Sequence, residues 1–508
     1  MVLPALILLP LIGAVAVALV PKRRSELLFP LGLAVSIPPL AAALWVAVNF
    51  TVGEPSFQFV TDHTFSESLG IGWRLGIDGI SLWLVVLTAL LFPLAMAAST
   101  AITNRTKPYL VAMLVLETGL LGVFLAIDLL LFFAFFEIVL VPMYLLIGVW
   151  GSENRRYASL KFVLFTAAGS VFLLGGIIVL GLLTGDLVDQ TSSFDIRVML
   201  DVELSSTAQL WLFLAFGIAF VIKVPLVPFH TWLPDAHTEA PTAASVILAA
   251  VLLKMGAYGL LRFNMTLFPQ ATVDLALVLA VLGVIGIVYG AAIAIVQPDI
   301  KRLVAYSSVS HMGFVILGLF ALTSQGLTGG VFVMISHGLV TGALFLLVGM
   351  LYDRRHTRLI DDYGGIATVM PIYAGFFLFM AFASIGLPGL SGFVGEFAVL
   401  VGGYLTLPVL AIIAAGGVIL AAVYLLWGYE RVFTGPITNS ANEGLVDLGV
   451  REIAIIVPLI VIVLAIGIYP RPILDRIQPS VDLILQRIEA TTGYEVPEFG
   501  ITVDEVAP

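Results

Sequence analysis

Apolar runs long enough to cross a bilayer recur along the whole chain, and this feature constrains the fold more than any other. A helix needs about 20 apolar residues to cross the hydrocarbon core. Because backbone polar groups find no water there, such runs are expected to be α-helical. Scanning with this length predicts about fourteen spans. They cover residues 2–20, 28–49, 77–98, 108–126, 128–149, 159–183, 209–229, 242–262, 273–296, 303–322, 327–350, 369–403, 408–429 and 452–469.

The composition agrees with an all-α integral membrane protein. The chain has 508 residues, of which 60% are hydrophobic and 11% charged, whereas a soluble domain is about a quarter charged. It contains no cysteine, which excludes disulfides and cysteine-ligated iron–sulfur clusters within this chain. No glycine-rich phosphate-binding fingerprint joins a strand to a helix. We therefore expect the lipid bilayer as a partner, and neither a nucleotide nor a nucleic acid.

The positive charges indicate how the chain is oriented. Lysine and arginine concentrate in alternate connectors, and by the positive-inside rule those connectors are cytoplasmic. The alternation then places both termini on the outer side of the membrane. The basic connectors include residues 22–24, 105–107, 155–161, 301–302 and 354–358.

The seventh run contains a charged residue next to a predicted helix break. Lys223 lies in apolar sequence, and Pro225 and Pro228 follow it. Proline removes a backbone donor and clashes with the preceding turn, so a helix must kink or break here. A lysine beside a broken membrane helix indicates an ion pathway. The alternative is a lysine that extends its charge to the interface, followed by an ordinary proline kink.

The twelfth run repeats this pattern. Gly386, Pro388 and Gly389 interrupt it, and Glu396 follows. The two breaks are five spans apart in the predicted order. An odd offset gives the two units opposite orientations, as in inverted-repeat transporters. We predict four regions: residues 1–107 with spans 1–3, 108–262 and 263–433 as two inverted five-helix repeats, and 434–508 with a cytoplasmic connector, span 14 and a tail.

Four ionisable residues lie deep within spans: Glu137, Lys223, Lys254 and Glu396. A charge at the bilayer centre costs about 2.5–3.5 kcal/mol on insertion scales. Burial and a partner of opposite charge shift the pKa of such a group in opposite directions. A Glu–Lys pair that separates is therefore a proton switch, and we expect Glu137 and Lys223 to approach within ion-pair distance. The alternative is a static pair that only specifies packing.

Three further acids have open roles. Glu117 is deep in the fourth span, where it either lines the same pathway or pairs locally. Asp78 and Asp128 lie near span ends, where a solvated or helix-capping role is expected.

The histidines are placed selectively. His311 and His337 lie inside spans between serine and glycine, which suits a proton relay. Taken alone, each histidine is better explained as a hydrogen-bonded core residue. His230 and His237 follow the first break toward the cytoplasm, where they can feed protons inward. No histidine pair has a third ligand at metal-site spacing, so no metal is expected.

Several long motifs resemble the antiporter-like membrane subunits of respiratory complex I. They are residues 126–151, 223–237, 241–245, 253–259 and 299–313, and the resemblance covers nearly the whole chain. Subunits of multisubunit Na⁺/H⁺ exchangers and of some membrane-bound hydrogenases share the pattern. Glu396 stands where the subunit L and N families have lysine, and the chain ends soon after the fourteenth span. Both features are similar to the subunit M family.

The resemblance implies a role in proton translocation across a bacterial inner membrane. NADH, FMN, iron–sulfur clusters and quinone are then expected on partner subunits, with subunits L and N on either side of this chain. In the family, matching positions form the switch pair, the central relay, the terminal residue toward the exit and the histidines along the path. Here these are respectively Glu137 with Lys223, Lys254, Glu396, and His230, His311 and His337.

Overall fold

The computed structural model describes residues 2–67, 69–185 and 192–497. Within these residues, thirteen helices are long and apolar enough to cross a membrane. A pair of shorter apolar helices, Pro371–Ile385 and Ser391–Thr406, occupies the predicted twelfth span. The predicted all-α membrane class is therefore confirmed. Thirteen of the about fourteen predicted spans correspond to helices long and apolar enough to cross a membrane, and the number of crossings stays a prediction. Residues 498–508 of the predicted tail lie outside the described residues.

The spans are numbered in chain order. Spans 7 and 12 each consist of two helices, labelled a and b. The spans are Val2–Leu19, Leu28–Val48, Gly79–Ala98, Thr106–Leu125, Leu129–Trp150, Arg155–Gly185, Ser206–Lys223 (7a) with Trp232–Glu239 (7b), Thr242–Leu267, Pro269–Ile295, Ile300–Phe320, Ser324–Arg355, Pro371–Ile385 (12a) with Ser391–Thr406 (12b), Pro408–Phe433 and Val450–Ile468.

Span 7 breaks where the sequence predicts it. Helix 7a ends at Lys223 and helix 7b begins at Trp232, with the two prolines between them. The indole Nε1 of Trp232 donates a hydrogen bond of 3.0 Å to the Ile222 carbonyl. A backbone group freed by the break thus finds a protein partner, as a low-dielectric surrounding requires.

Span 12 also breaks as predicted, and glycine makes the break possible. Gly386 caps helix 12a with a φ of 85°, in the left-handed region that glycine enters without strain. At the start of helix 12b, a Cβ on Gly392 would lie 2.0 Å from the Ala383 carbonyl oxygen. The two half-helices approach each other because Gly392 has no side chain.

Two further irregularities were not predicted. Span 5 changes helix at Val139, because Pro142 lacks a donor and clashes with the carbonyl four residues earlier. Span 8 contains two π-helical segments, Leu248–Leu252 and Leu260–Asn264, which flank Lys254. Such segments are frequent at functional sites.

Spans 8 and 11 form the centre of the molecule, since the most apolar stretch of each helix is wholly buried. Glycine residues allow the backbones of these spans to approach closely. A Cβ on Gly256 would lie 2.5 Å from the Phe220 carbonyl oxygen, and one on Gly338 would lie 2.9 Å from that of Ala250. Spans 7a, 8 and 11 are thus packed backbone to backbone at the depth of Lys254.

The predicted capping roles of two acids are confirmed. The Asp78 carboxylate accepts the amides of Ile80 and Ser81 at the start of span 3. Asp128 does the same for the first turn of span 5. Both acids also pair with buried arginines: Asp78 with Arg262 at 2.5 Å, and Asp128 with Arg74 at 2.7 Å.

The first long connector forms an antiparallel hairpin of Gln58–Ser66 and Ile71–Ile77, an element the sequence did not predict. Arg74 stabilises this hairpin. Its guanidinium contacts Asp62 on the opposite strand at 3.2 Å and also contacts Asp128 at the start of span 5. Burial favours the protonated form of Asp62, but hydrogen bonds and charge from Arg197 and Arg74 outweigh it and lower the pKa of Asp62.

The predicted tail contains an amphipathic helix, Arg471–Thr492. Its buried face includes Ile477, Val481 and Ile488. Ser480 accepts a 3.2 Å hydrogen bond from the Gly79 amide, and Arg487 donates to the Thr266 carbonyl. The helix therefore joins the start of span 3 to the end of span 8.

Candidate functional site

Lys254 lies fully buried at the centre of the bundle. Its Nζ donates a 2.7 Å hydrogen bond to the Ala249 carbonyl, which belongs to the preceding π-helical segment. The same nitrogen lies 2.6 Å from His337 Nδ1 on span 11. Neither contact is with a carboxylate. An imidazole nitrogen can accept a hydrogen bond from an ammonium or take its proton, so the geometry of this contact permits proton exchange.

The contacts continue across two more spans. The His337 ring centroid lies 5.6 Å from that of His311 on span 10. His311 Nδ1 lies 2.9 Å from Glu396 Oε1 on helix 12b. Its Nε2 lies 3.1 Å from the Ser384 hydroxyl at the end of helix 12a. Four of the sequence-predicted residues therefore form one buried set, which we name the central chain: Lys254, His337, His311 and Glu396.

A small cavity bridges the gap between the two histidines. The cavity has a volume of about 10 Å³. Its walls include His311, His337, Thr341, Ser384 and Glu396. A site of about 10–15 Å³ with two to four polar partners holds one water. His337 Nε2 and Thr341 Oγ1 have no hydrogen-bond partner among the described residues. The cavity thus has the room and the free polar groups for one bridging water.

Glu137 and Lys223 do not form the expected ion pair. The Lys223 Nζ lies 4.9 Å from the ring centroid of Phe136 and 5.4 Å from that of Phe162, a favourable cation–π arrangement. The Glu137 carboxylate accepts a 2.5 Å hydrogen bond from Ser170 instead. Direct pairing is therefore wrong for this structure, because each charged group has another partner.

His230 and His237 make no hydrogen bond to the central chain among the described residues. His230 contacts the ring of Tyr289 edge-on at 5.1 Å, and its Nδ1 has no hydrogen-bond partner in the part of the chain that the structure describes. His237 stacks on Phe345 at 4.7 Å, and neither of its ring nitrogens has a partner among the described residues. The tertiary structure therefore brings together two of the three histidines of the predicted path and leaves His230 separate.

Sequence reasoning missed several polar residues of the site. Ser170 holds Glu137, Ser384 holds His311, and the Tyr424 hydroxyl lies 3.4 Å from His311 Nε2. The only sequence signal was a single polar residue in an apolar run, which also describes many helices that satisfy their own hydroxyls. Among the described residues, no group of three or more histidine or acidic side chains is placed to hold a metal ion.

The comparisons with known proteins cover most of the chain. A family model described as "NADH:quinone oxidoreductase/Mrp antiporter, TM" matches residues 126–422. A second, "NADH-ubiquinone oxidoreductase chain 4, amino terminus", matches residues 27–127. Subunit M of NADH-quinone oxidoreductase from Rhodobacter capsulatus is 44% identical over 467 residues, which is 91% of each chain.

Solved structures share the fold. A chain in the structure of respiratory complex I from Thermus thermophilus with bound NADH is 32% identical, with a TM-score of 0.88. The match covers 96% of this chain and 100% of that one. A chain of the Mrp complex from Dietzia has a TM-score of 0.82 at 21% identity, covering 96% and 99% of the two chains. At that identity the likeness shows the fold alone.

Proposed function

Because the chain belongs to the NADH:quinone oxidoreductase/Mrp antiporter family, and within it to the subunit M group, we propose that it translocates protons as a membrane subunit of NADH-quinone oxidoreductase. NADH oxidation and quinone reduction then take place on other subunits and drive the pumping. The observation that carries the proposal is the central chain, which links four packed helices through contacts of 2.6 and 2.9 Å and two histidine rings 5.6 Å apart.

The geometry supports a stepwise relay. A proton held by Lys254 passes to His337 across the 2.6 Å contact. One water in the cavity carries it onward to the Ser384 hydroxyl, which also lines the cavity. Because His311 Nδ1 is hydrogen-bonded to Glu396, the proton enters His311 at Nε2 through this hydroxyl, 3.1 Å away. His311 passes it to Glu396 across 2.9 Å. Glu396, beside the second helix break, then releases the proton toward the outer side.

Glu137 and Lys223 act as the switch for this relay. Each group has its own partner: the ammonium lies against two rings and the carboxylate accepts a hydrogen bond from Ser170. When they approach, the pair stabilises the charged lysine; when they separate, the lysine more readily releases its proton. His230 and His237, on the predicted cytoplasmic side of the first break, supply protons to this region.

The redox chemistry belongs to partner subunits in this proposal. The chain has no cysteine, the residue that most often ligates iron–sulfur clusters. NADH, FMN, the clusters and quinone are therefore assigned to other subunits. Purified alone, the chain should neither oxidise NADH nor show flavin or iron–sulfur absorbance; a bound chromophore would contradict this part.

The chain is proposed to lie in the bacterial inner membrane between subunits L and N, with both termini outside. Exposed apolar side chains such as Val141, Val171 and Ile412 provide surfaces for lipid or neighbouring subunits. Two five-helix units, residues 108–262 and 263–433, are proposed as inverted repeats because each contains one broken helix with an ionisable residue at its break.

A cation/proton antiporter subunit of a Na⁺/H⁺ exchanger or a membrane-bound hydrogenase is the second candidate. Its support is the fold shared with the Mrp complex. Co-purification discriminates the two: flavin and iron–sulfur subunits accompany the chain in the first case, and small exchanger subunits in the second.

The direct test replaces Glu396 with glutamine, which keeps the shape and removes the titratable proton. We expect proton uptake into inverted membrane vesicles to fall at least about tenfold at matched complex content, because one broken relay step of about 1.4 kcal/mol already gives that factor. Thr166→Val is the control, since this buried hydroxyl bonds only within its own helix. Normal pumping in Glu396→Gln would refute the relay.

A further inference from the structure

Glu117 on span 4 is a buried acid that the relay above does not use. Its side chain is fully buried, and neither carboxylate oxygen has a hydrogen-bond partner among the described residues. The local pairing considered from the sequence is therefore not formed. Buried polar groups are nearly always hydrogen-bonded, so an exception requires an explanation.

The packing of span 4 shows which way Glu117 faces. Gly119 and Gly122 lie against span 5, where added Cβ atoms would approach Val139 Cγ2 to 2.8 Å and Phe135 Cγ to 2.3 Å. Each residue of an α-helix is turned by about 100° from the previous one. Glu117 is two residues before Gly119 and so points about 200° away, into the protein interior.

Span 8 lies on that interior side. Phe124 is two turns after Glu117 on the same helix face. Its ring centroid lies 5.3 Å from that of Tyr258, and its carbonyl accepts a 3.4 Å hydrogen bond from the Tyr258 hydroxyl. Lys254 is one turn before Tyr258 on span 8. At 1.5 Å per residue, Glu117 therefore lies within about 5 Å of the membrane depth of Lys254.

The same helix fixes the depth of Glu117 relative to Glu137. Span 5 runs antiparallel to span 4, with Gly122 against Phe135 and Gly119 against Val139. Glu137 therefore stands opposite a residue between the two glycines, about one turn from Glu117. Span 4 contacts both span 5 and span 8. Span 4 thus joins the helices that carry Glu137 and Lys254, and Glu117 lies at nearly the same depth as both residues.

We propose that Glu117 is a further proton-binding residue, which carries protons between the Glu137 side and Lys254. The inference rests on the proposed function. In the resting state Glu117 is a neutral carboxylic acid, the form that tolerates an unpartnered buried position better than a carboxylate does. Its O–H bond breaks as the proton passes through a transient water toward Lys254. A proton arriving by water from the Glu137 side re-forms the bond, and no electrons are transferred.

The test uses the assembled complex with Glu117→Gln, which keeps the size and hydrogen-bonding capacity of the side chain but cannot titrate. We expect proton pumping and NADH–quinone turnover to fall severalfold, with partial recovery in Glu117→Asp. Thr118→Val is the matched control: it is the next residue, is buried, and bonds only to its own helix at the Leu114 carbonyl. Wild-type pumping in Glu117→Gln overturns the inference.

Glu396→Gln separates this inference from the proposed function. If Glu396→Gln fails to pump while Glu117→Gln pumps normally, only the role of Glu117 is refuted; if both pump normally, the relay itself is refuted. Should Glu117→Gln fail to assemble, infrared spectroscopy of the wild-type complex decides. A protonated-carboxyl band that shifts in D₂O and moves in Glu117→Asp supports the inference, and a spectrum unchanged by Glu117→Asp overturns it.

Discussion

The amine of Lys254 and the imidazole of His337 lie 2.6 Å apart. The most apolar stretches of the two helices that carry them, spans 8 and 11, are wholly buried. The lysine has a carbonyl and a histidine as partners. His337 lines the water-sized cavity, and its Nε2 has no hydrogen-bond partner within the described part of the chain. A lysine placed for static stability would be expected to face a carboxylate. This contact instead joins two groups that can exchange one proton.

The first prediction concerns this contact. Lys254→Met keeps the length and the apolar stem of the side chain but removes the proton carrier. We expect pumping to fall at least about tenfold in this variant. His337→Gln keeps a polar group that cannot accept a proton, and its pumping should fall by a similar factor. Because both changes break the same relay, the double variant should be little worse than either single one. Proton uptake by inverted vesicles measures this, and additive losses would show that the residues act separately.

The switch pair gives the second prediction. Glu137→Gln and Lys223→Ala should each abolish most pumping, and NADH–quinone turnover should fall with it because the two processes are linked. Moving the acid one turn back, to the position of Phe133, should restore part of the activity, since that position lies on the same face of the regular helix Leu129–Ile138. Both are assayed in vesicles at matched complex content. Full activity of Glu137→Gln would mean that this pair serves only packing.

The third prediction is structural. Asp78 and Arg262 are almost fully buried and paired, so Arg262→Met leaves an uncompensated carboxylate at the start of span 3. Breaking such a pair costs about 3–5 kcal/mol, whereas replacing both partners is often nearly neutral. We expect Arg262→Met to lower the thermal midpoint of the detergent-solubilised complex, and Asp78→Asn combined with Arg262→Met to recover much of it. Equal destabilisation by the single and double variants would exclude a pairing effect.

The fourth prediction tests the orientation. Cysteine introduced at Arg23 should react with an impermeant thiol reagent only from the cytoplasmic side, and cysteine at Gln58 only from the outside. The native chain has no cysteine, so the unmodified protein is the background control. Labelling of the Arg23 position in intact cells would reverse the proposed topology.

Much of the fold was predictable because a membrane helix satisfies its own backbone. The lengths of the apolar runs predicted the crossings, and proline and glycine near Lys223 and Gly386 predicted the two breaks. Pro142 is an equally local signal for the helix irregularity beside Glu137, although that irregularity was not predicted. The π-helical segments around Lys254 had no comparable signal, because they depend on how span 8 fits between its neighbours.

The sequence by itself determined the membrane class, the approximate number of crossings, the broken helices and the ionisable residues at depth. These follow from hydrophobic length and local backbone chemistry, which act within one helix. Only the tertiary structure decided which of those residues meet. It placed Lys254 against His337 and His311 against Glu396, and it placed Lys223 against two aromatic rings instead of Glu137. Such partners come from helices distant in sequence, and their side-chain contacts depend on packing between helices, which no local pattern specifies.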